Sequence, residues 1–130
     1  MTKQDHIAYW KNSSAEDLDT ALYNYQGKKN IPALFFLHLS VEKMLKAIWV
    51  QDNQSNTPPF THDLQKIAGE TDLEWDADHF DYLSVVNNWN IEARYPDYKY
   101  TLYKIATASY MQMHVYKVQD LLKWLQEKIS

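Results

Sequence analysis

The chain has 130 residues, of which 45% are hydrophobic, which is enough for one domain with its own core. With 13 basic and 17 acidic residues the formal charge is −4, which argues against a basic coat for non-specific nucleic-acid binding. The absence of cysteine excludes disulfides and cysteine-ligated zinc, and only 2 Gly and 4 Pro favour long helices over a turn-rich β fold. The N-terminus has no apolar signal core and no stretch is long enough to span a membrane, so we expect a single cytoplasmic domain over residues 1–130.

Hydrophobic periodicity predicts five helices. The first is expected over Ser14–Gln26, where Ser13 and Glu16 have the spacing of a capping box and Gly27 can close the C-terminus. The segment Ile7–Trp10 could extend this helix towards the N-terminus.

The second helix is expected over Ile31–Val50, with Asn30 as N-cap. Its apolar residues cover more than one face, so it should be the central helix. The segment Gln51–Phe60 is expected to be a loop, and a short third helix should run from Thr61 or His62 to Glu70.

The fourth helix is expected over Asp78–Arg94, because the proline at position 96 disfavours helix for the residue before it. We expect a loop over Tyr95–Tyr100 and then a fifth helix over Thr101–Lys128. This last helix would be about 42 Å long, enough to project into a dimer contact. The predicted fold is therefore all-α, an up-and-down antiparallel bundle of about five helices with a long C-terminal helix.

A polar edge and a tyrosine-rich loop are the strongest candidates for a binding site. Asn87, Asn90 and Arg94 share one face of the predicted fourth helix at i, i+3 and i+7. The loop that follows adds cations that could hold phosphate and tyrosines that could stack on a base. With His62 before the third helix and Lys43 off the apolar stripe of the second, the candidate ligand-binding residues are Arg94, Tyr95, Asp97, Lys99, Tyr100, Asn87, Asn90, His62 and Lys43.

The histidines offer little sign of a metal site. His38 and Glu42 are four residues apart on the second helix, but no Glu-x-x-His motif and no second pair accompanies them. His38 is more simply interpreted as a core or interface residue, and His62 as a cap of the third helix. We expect no metal and no cofactor other than a nucleotide ligand.

Three segments, in this order, resemble the signature of HEPN domains (higher eukaryotes and prokaryotes nucleotide-binding). They are Phe35–Ala47 (FFLHLSVEKMLKA), Thr61–Leu64 (THDL) and Glu92–Asp97 (EARYPD). The resemblance covers nearly the whole chain. It implies an all-α bundle of four or five helices that is often dimeric and often accompanies a small nucleotidyltransferase.

Other HEPN proteins are ribonucleases, including toxins, with an Arg-x(4–6)-His motif at the dimer interface. Arg94 matches the arginine of this motif, but the positions for the histidine hold Lys99, Tyr100 and Thr101. Lysine and tyrosine have unperturbed pKa values near 10, so neither readily takes a proton at neutral pH. The resemblance then implies a non-catalytic module that binds a nucleotide or nucleic-acid phosphate near Arg94, or partners a nucleotidyltransferase, as a homodimer.

Two alternatives remain open from the sequence. The first is a toxin-like ribonuclease that uses Arg94 with a non-standard base such as Lys99 or His62. The second is a purely structural module whose tyrosine loop and polar edge dock another protein.

Overall fold

The computed structural model describes residues 1–130, apart from the side chain of Ala93. It contains six α-helices and a short 3₁₀ turn, and no strand occurs within the described residues. The helices are α1 (Lys3–Gln26), α2 (Asn30–Asp52), α3 (Leu64–Gly69), α4 (Ala77–Asn87), α5 (Pro96–Ile105) and α6 (Ala108–Gln126), with the 3₁₀ turn at Ile91–Ala93. The prediction of an all-α fold is confirmed. None of the described helices is long and apolar enough to cross a membrane.

The four long helices alternate in direction. Lys3, at the start of α1, donates from Nζ to the carbonyl oxygens of Val50 and Asn53 at 2.7 Å, so α1 runs antiparallel to α2. Near the start of α6 the Ala106 carbonyl accepts from Asn30, and near its end Ser130 donates to Gln51, so α6 runs parallel to α2. The bundle is thus up-and-down through α1, α2, α4 and α6, while α3 and α5 lie in the connections.

Aromatic contacts fix α4 antiparallel to α6. His79, at the start of α4, stacks on Trp124 with ring centroids 4.3 Å apart. Further along, the Tyr82 hydroxyl and Nδ1 of His114 share a hydrogen bond of 2.7 Å, and Trp89 donates from Nε1 to the Tyr110 hydroxyl at 3.0 Å. Trp89 is completely buried. These contacts with α6 fix the position of the end of α4, beside which the candidate site lies.

Helix α2 is central, as predicted, because thirteen of its residues are buried. It begins one residue before the predicted Ile31 and ends two residues after the predicted Val50. Asn30 is not its N-cap; Lys29 holds that position without a side-chain cap, and the Asn30 amide instead donates to the Ala106 carbonyl at 2.8 Å.

Two predicted helix starts were wrong. Helix α1 begins at Lys3 rather than Ser14, because the capping box is formed by Thr2 and Asp5 and not by Ser13 and Glu16. The expected extension of this helix through Ile7–Trp10 is confirmed. Helix α3 begins at Leu64, and its N-cap is Asp63. The Asp63 carboxylate accepts from the backbone N–H groups of Gln65 and Lys66 in the first turn. Neither Thr61 nor His62 caps it.

The predicted fourth and fifth helices were also wrong in their bounds. Helix α4 ends at Asn87, not Arg94, and residues 96–100 of the expected loop Tyr95–Tyr100 instead form the first half of α5. Pro96 is the first residue of that helix, a position where its missing N–H costs nothing. The expected long helix Thr101–Lys128 is broken at Ala106, after which the Thr107 side chain caps α6.

Candidate functional site

A polar cleft of about 490 Å³ lies where α4 ends and α3 begins. It is lined by Thr61, His62, Asp63, Gln65, Asn87, Asn90 and Arg94. Four of these are residues that the sequence pointed to: His62, Asn87, Asn90 and Arg94. They meet although the helix that was expected to align three of them stops at Asn87.

Asn87 joins the two walls of the cleft. Its Oδ1 accepts from the backbone N–H of Leu64 at 2.9 Å, and its Nδ2 donates to Oδ1 of Asp63 at 3.2 Å. The same Asp63 oxygen caps the first turn of α3. Both ends of the Asn87 amide are therefore committed to structure, and we assign it a positioning role rather than a ligand contact.

Arg94 is the only arginine among the 13 basic residues of the chain. Its guanidinium carbon lies 4.8 Å from the ring centroid of Tyr98, a cation–π contact, and the Tyr98 hydroxyl donates to the Asn88 carbonyl at 2.7 Å. Among the described residues no carboxylate lies within ion-pair distance of Arg94. Stacking on one face leaves the N–H groups at the rim of the guanidinium available to an anion.

Asn90 lines the cleft and carries a buried acceptor that has no partner among the described residues. The residue is only 4% exposed, and its Oδ1 has no hydrogen-bond partner among the described residues. A buried polar atom without a partner costs about 1–3 kcal/mol, so a ligand that donates a hydrogen bond here would recover that cost.

A buried carboxylate orients His62. Glu42, on α2, is 4% exposed and accepts from Nδ1 of His62 at 2.7 Å and from Nζ of Lys46 at 3.1 Å. Since Nδ1 donates to the carboxylate, the second ring nitrogen, Nε2, is left without a hydrogen-bond partner among the described residues. The His62 side chain is 58% exposed, so this nitrogen is open to solvent and ligand.

His38 holds the backbone of the same segment. It is completely buried, and its Nε2 donates to the carbonyl oxygen of His62 at 3.2 Å. Its other ring nitrogen has no partner among the described residues. Burial lowers the pKa of His38, because the charged imidazolium is poorly solvated there, although Glu42 opposes the shift.

This lowered pKa predicts an acid-sensitive fold. The folded chain binds a proton at His38 less readily than the unfolded chain, so stability should be constant above about pH 6.5 and fall below it. The loss is at most about 1.4 kcal/mol per pH unit for this residue. Burial also lowers the pKa of His114, which acts in the same direction.

Urea unfolding between pH 7.5 and 5 measures the effect, in a range where ordinary carboxylates remain ionised. His38→Gln, which keeps an amide donor but cannot titrate, should show a shallower slope. An equal slope in both proteins would contradict the assignment to His38.

The remaining candidate ligand residues do not line the cleft. Tyr95, at the N-cap of α5, and three residues of its outer surface, Asp97, Lys99 and Tyr100, are all exposed. Lys43 lies between α2 and α1, where its Nζ pairs with Asp17 at 2.7 Å. In the residues that the structure describes, no cluster of three or more His, Asp or Glu side chains is arranged to hold a metal ion.

The Glu42–His62 pair is the main feature that the sequence reasoning missed. It considered Glu42 only as a possible metal-ligand pair with His38, four residues earlier on the same helix, whereas Glu42 bonds to His62, twenty residues away. The identity of Arg94 was a signal available in the sequence, because the other twelve basic residues are all lysines.

Comparison with known proteins identifies the chain at the level of a family. The model of the HEPN domain matches residues 7–129, nearly the whole length. No curated protein and no solved structure matches the chain significantly.

Proposed function

The chain belongs to the HEPN domain family, and from that premise we propose that the cleft at Arg94 binds the phosphate of a nucleotide or nucleic acid. The observation that carries the proposal is the convergence of the single arginine, unpaired among the described residues, with the unpaired Asn90 amide and the free nitrogen of His62. Helix and loop residues from three parts of the chain meet there, which is typical of a binding site rather than of a solvated helix face.

Each group suits a different part of such a ligand. Arg94 can donate two parallel hydrogen bonds to phosphate oxygens. Phosphate offers only acceptors when fully ionised, so the acceptor on Asn90 favours a ligand that also carries a donor, such as a ribose hydroxyl or a base amine.

We expect Arg94→Ala to abolish most nucleotide binding without unfolding the protein. A charge-assisted hydrogen bond contributes about 1.5–3 kcal/mol, so its loss should weaken affinity roughly 10- to 150-fold. The side chain is exposed and loses only its cation–π contact with Tyr98, so stability should change by no more than about 1 kcal/mol. Thermal shift against a panel of nucleotides measures both quantities.

Arg94→Lys is the matched control, because it keeps the charge but loses the paired donors. Unchanged binding in folded Arg94→Ala would remove Arg94 from the site. No thermal shift of the parent with any nucleotide would instead favour the purely structural docking module.

We further propose that the domain is a non-catalytic cytoplasmic homodimer that partners a small nucleotidyltransferase. The family resemblance supports this assignment, and exposed apolar side chains on α6, Met113 and Tyr116, offer a contact face. Light scattering of the pure protein tests the dimer, and co-purification with a nucleotidyltransferase encoded beside it tests the partner.

A second candidate function, a toxin-like ribonuclease, is favoured by the Glu42–His62 pair. Lys99 is not in the cleft, but His62 is, and a histidine held by a buried carboxylate is a suitable base for the 2′-hydroxyl of RNA. Incubation of the folded protein with several RNAs separates the two functions. Cleavage that His62→Ala removes would establish the enzyme, and intact RNA would favour the non-catalytic module.

A further inference from the structure

A second cavity, of about 620 Å³, lies at the other end of α5. Lys28 and Lys29 border it from the turn between α1 and α2, and Tyr103 and Lys104 from the end of α5. No Asp or Glu is among its described lining residues. In a chain with 17 acidic and 13 basic residues, three lysines around one acid-free cavity produce a local positive potential. We call it the lysine pocket.

The backbone holds this pocket in place. Lys28 adopts a left-handed conformation, with φ of 60°, and its N–H donates to the Tyr25 carbonyl at 3.0 Å. The neighbouring Asn30 side chain donates to the Ala106 carbonyl, which ties the turn to the end of α5 across 76 residues of sequence. The three lysines therefore project from a fixed junction between two connections of the bundle.

The outer surface of α5 links the lysine pocket to the Arg94 cleft. Tyr95, Lys99 and Tyr103 lie at i, i+4 and i+8, and all three are exposed. On the adjacent row Lys104 places its Nζ 4.5 Å from the ring centroid of Tyr100. Arg94 stands just before this helix and Lys104 near its end, so cations and exposed rings are interspersed over a length of about 15 Å, with Asp97 as the one acidic residue of the helix.

We propose that the lysine pocket is a second phosphate site, and that single-stranded nucleic acid lies along α5 between it and the Arg94 cleft. Exposed tyrosines interleaved with cations suit unpaired bases, which can stack on the rings while the backbone follows the charges. A length of about 15 Å accommodates roughly four nucleotides at about 3.4 Å per stacked nucleotide. This inference rests on the proposed function for its Arg94 end.

Fluorescence anisotropy with a labelled ten-nucleotide single-stranded RNA tests the proposal. We compare the parent with a variant that carries Lys28→Gln, Lys29→Gln and Lys104→Gln. The matched control carries Lys11→Gln, Lys123→Gln and Lys128→Gln, which remove the same charge near the opposite end of α6. Circular dichroism establishes that both are folded.

We expect the first variant to bind the RNA at least about tenfold more weakly at 150 mM salt, and the control to stay near the parent. If two phosphate contacts are lost, the slope of log K against log salt should fall by about 1.4. Tyr103→Ala should weaken binding about tenfold through lost stacking, whereas Tyr23→Ala, at a similarly exposed tyrosine of α1, should not.

The mononucleotide thermal shift separates this inference from the proposed function. If the lysine variant keeps an Arg94-dependent nucleotide shift but binds RNA as tightly as the parent, the lysine pocket is overturned and the cleft stands. Equal weakening of RNA binding by both triple variants would also overturn the lysine pocket, since affinity would then depend on the net charge of the protein and not on where the lysines lie. Binding of an acidic peptide as tightly as the RNA would show a protein-docking surface instead.

Discussion

Replacement of Trp89 by alanine is expected to lower the free energy of unfolding by about 4 kcal/mol, the largest effect that we expect from one substitution in this chain. Trp89 is completely buried, donates from Nε1 to the Tyr110 hydroxyl and packs edge-on against His114 at 5.1 Å between ring centroids. Removal of the indole leaves a cavity between the end of α4 and α6. For a domain of this size the melting temperature should fall by about 15 °C.

Trp89→Ala should also disturb the candidate site, because Trp89 anchors the turn that carries Asn90 and leads to Arg94. Trp89→Phe keeps most of the ring and loses the hydrogen bond, so its cost should be about 1–2 kcal/mol. Urea unfolding measures all three proteins. A cost below about 1 kcal/mol for Trp89→Ala would mean that α4 and α6 do not meet as described.

Glu42→Ala is expected to lower the free energy of unfolding by about 2–3 kcal/mol. It removes the carboxylate that accepts from both His62 and Lys46. The Lys46 side chain, 13% exposed, would keep its charge with only the Trp10 ring, 5.2 Å from its Nζ, as a partner. Breaking a buried pair costs about 3–5 kcal/mol, and the partial exposure of Lys46 reduces that figure. Nucleotide affinity should also fall, because His62 would lose its fixed orientation.

Two comparisons isolate the role of the charge. Glu42→Gln preserves the shape and one acceptor, so its cost should be near 1 kcal/mol. Asp17→Asn breaks the more exposed Lys43–Asp17 pair and should cost less than about 1 kcal/mol. If urea unfolding gave equal losses of stability for Glu42→Ala and Asp17→Asn, the buried pairing of Glu42 would be no stronger than the more exposed Lys43–Asp17 pair, which would contradict this prediction.

The sequence predicted the central helix and the fold class because hydrophobic burial leaves a direct periodic signal. It misplaced the segment around Pro96 because a proline can either follow a helix end or occupy the first turn of the next helix. The break before α6 was missed for a similar reason. Thr107 is an ordinary helix cap by residue type, but apolar residues continue on both sides of it and suggest one helix.

The candidate site was only partly predictable. Asn87, Asn90 and Arg94 were grouped on a continuous helix that does not exist there, yet they share a cleft because the chain turns tightly after Asn87. Glu42 and His62 could not be paired from the sequence, since their contact depends on how the loop after α2 folds back. Local rules locate helices, whereas long-range contacts of this kind require the tertiary structure.

The sparse attachment of α5 has a consequence for the timescale of its motions. Leu102 is its only buried residue, and a ten-residue helix has little stability of its own in water. Its amide protons should therefore exchange with solvent through local opening. Those of α2 should exchange much later, because their exchange requires global unfolding. A strand of nucleic acid bound along α5 should therefore slow amide exchange in this helix first, while the exchange rates of the core helices should change little.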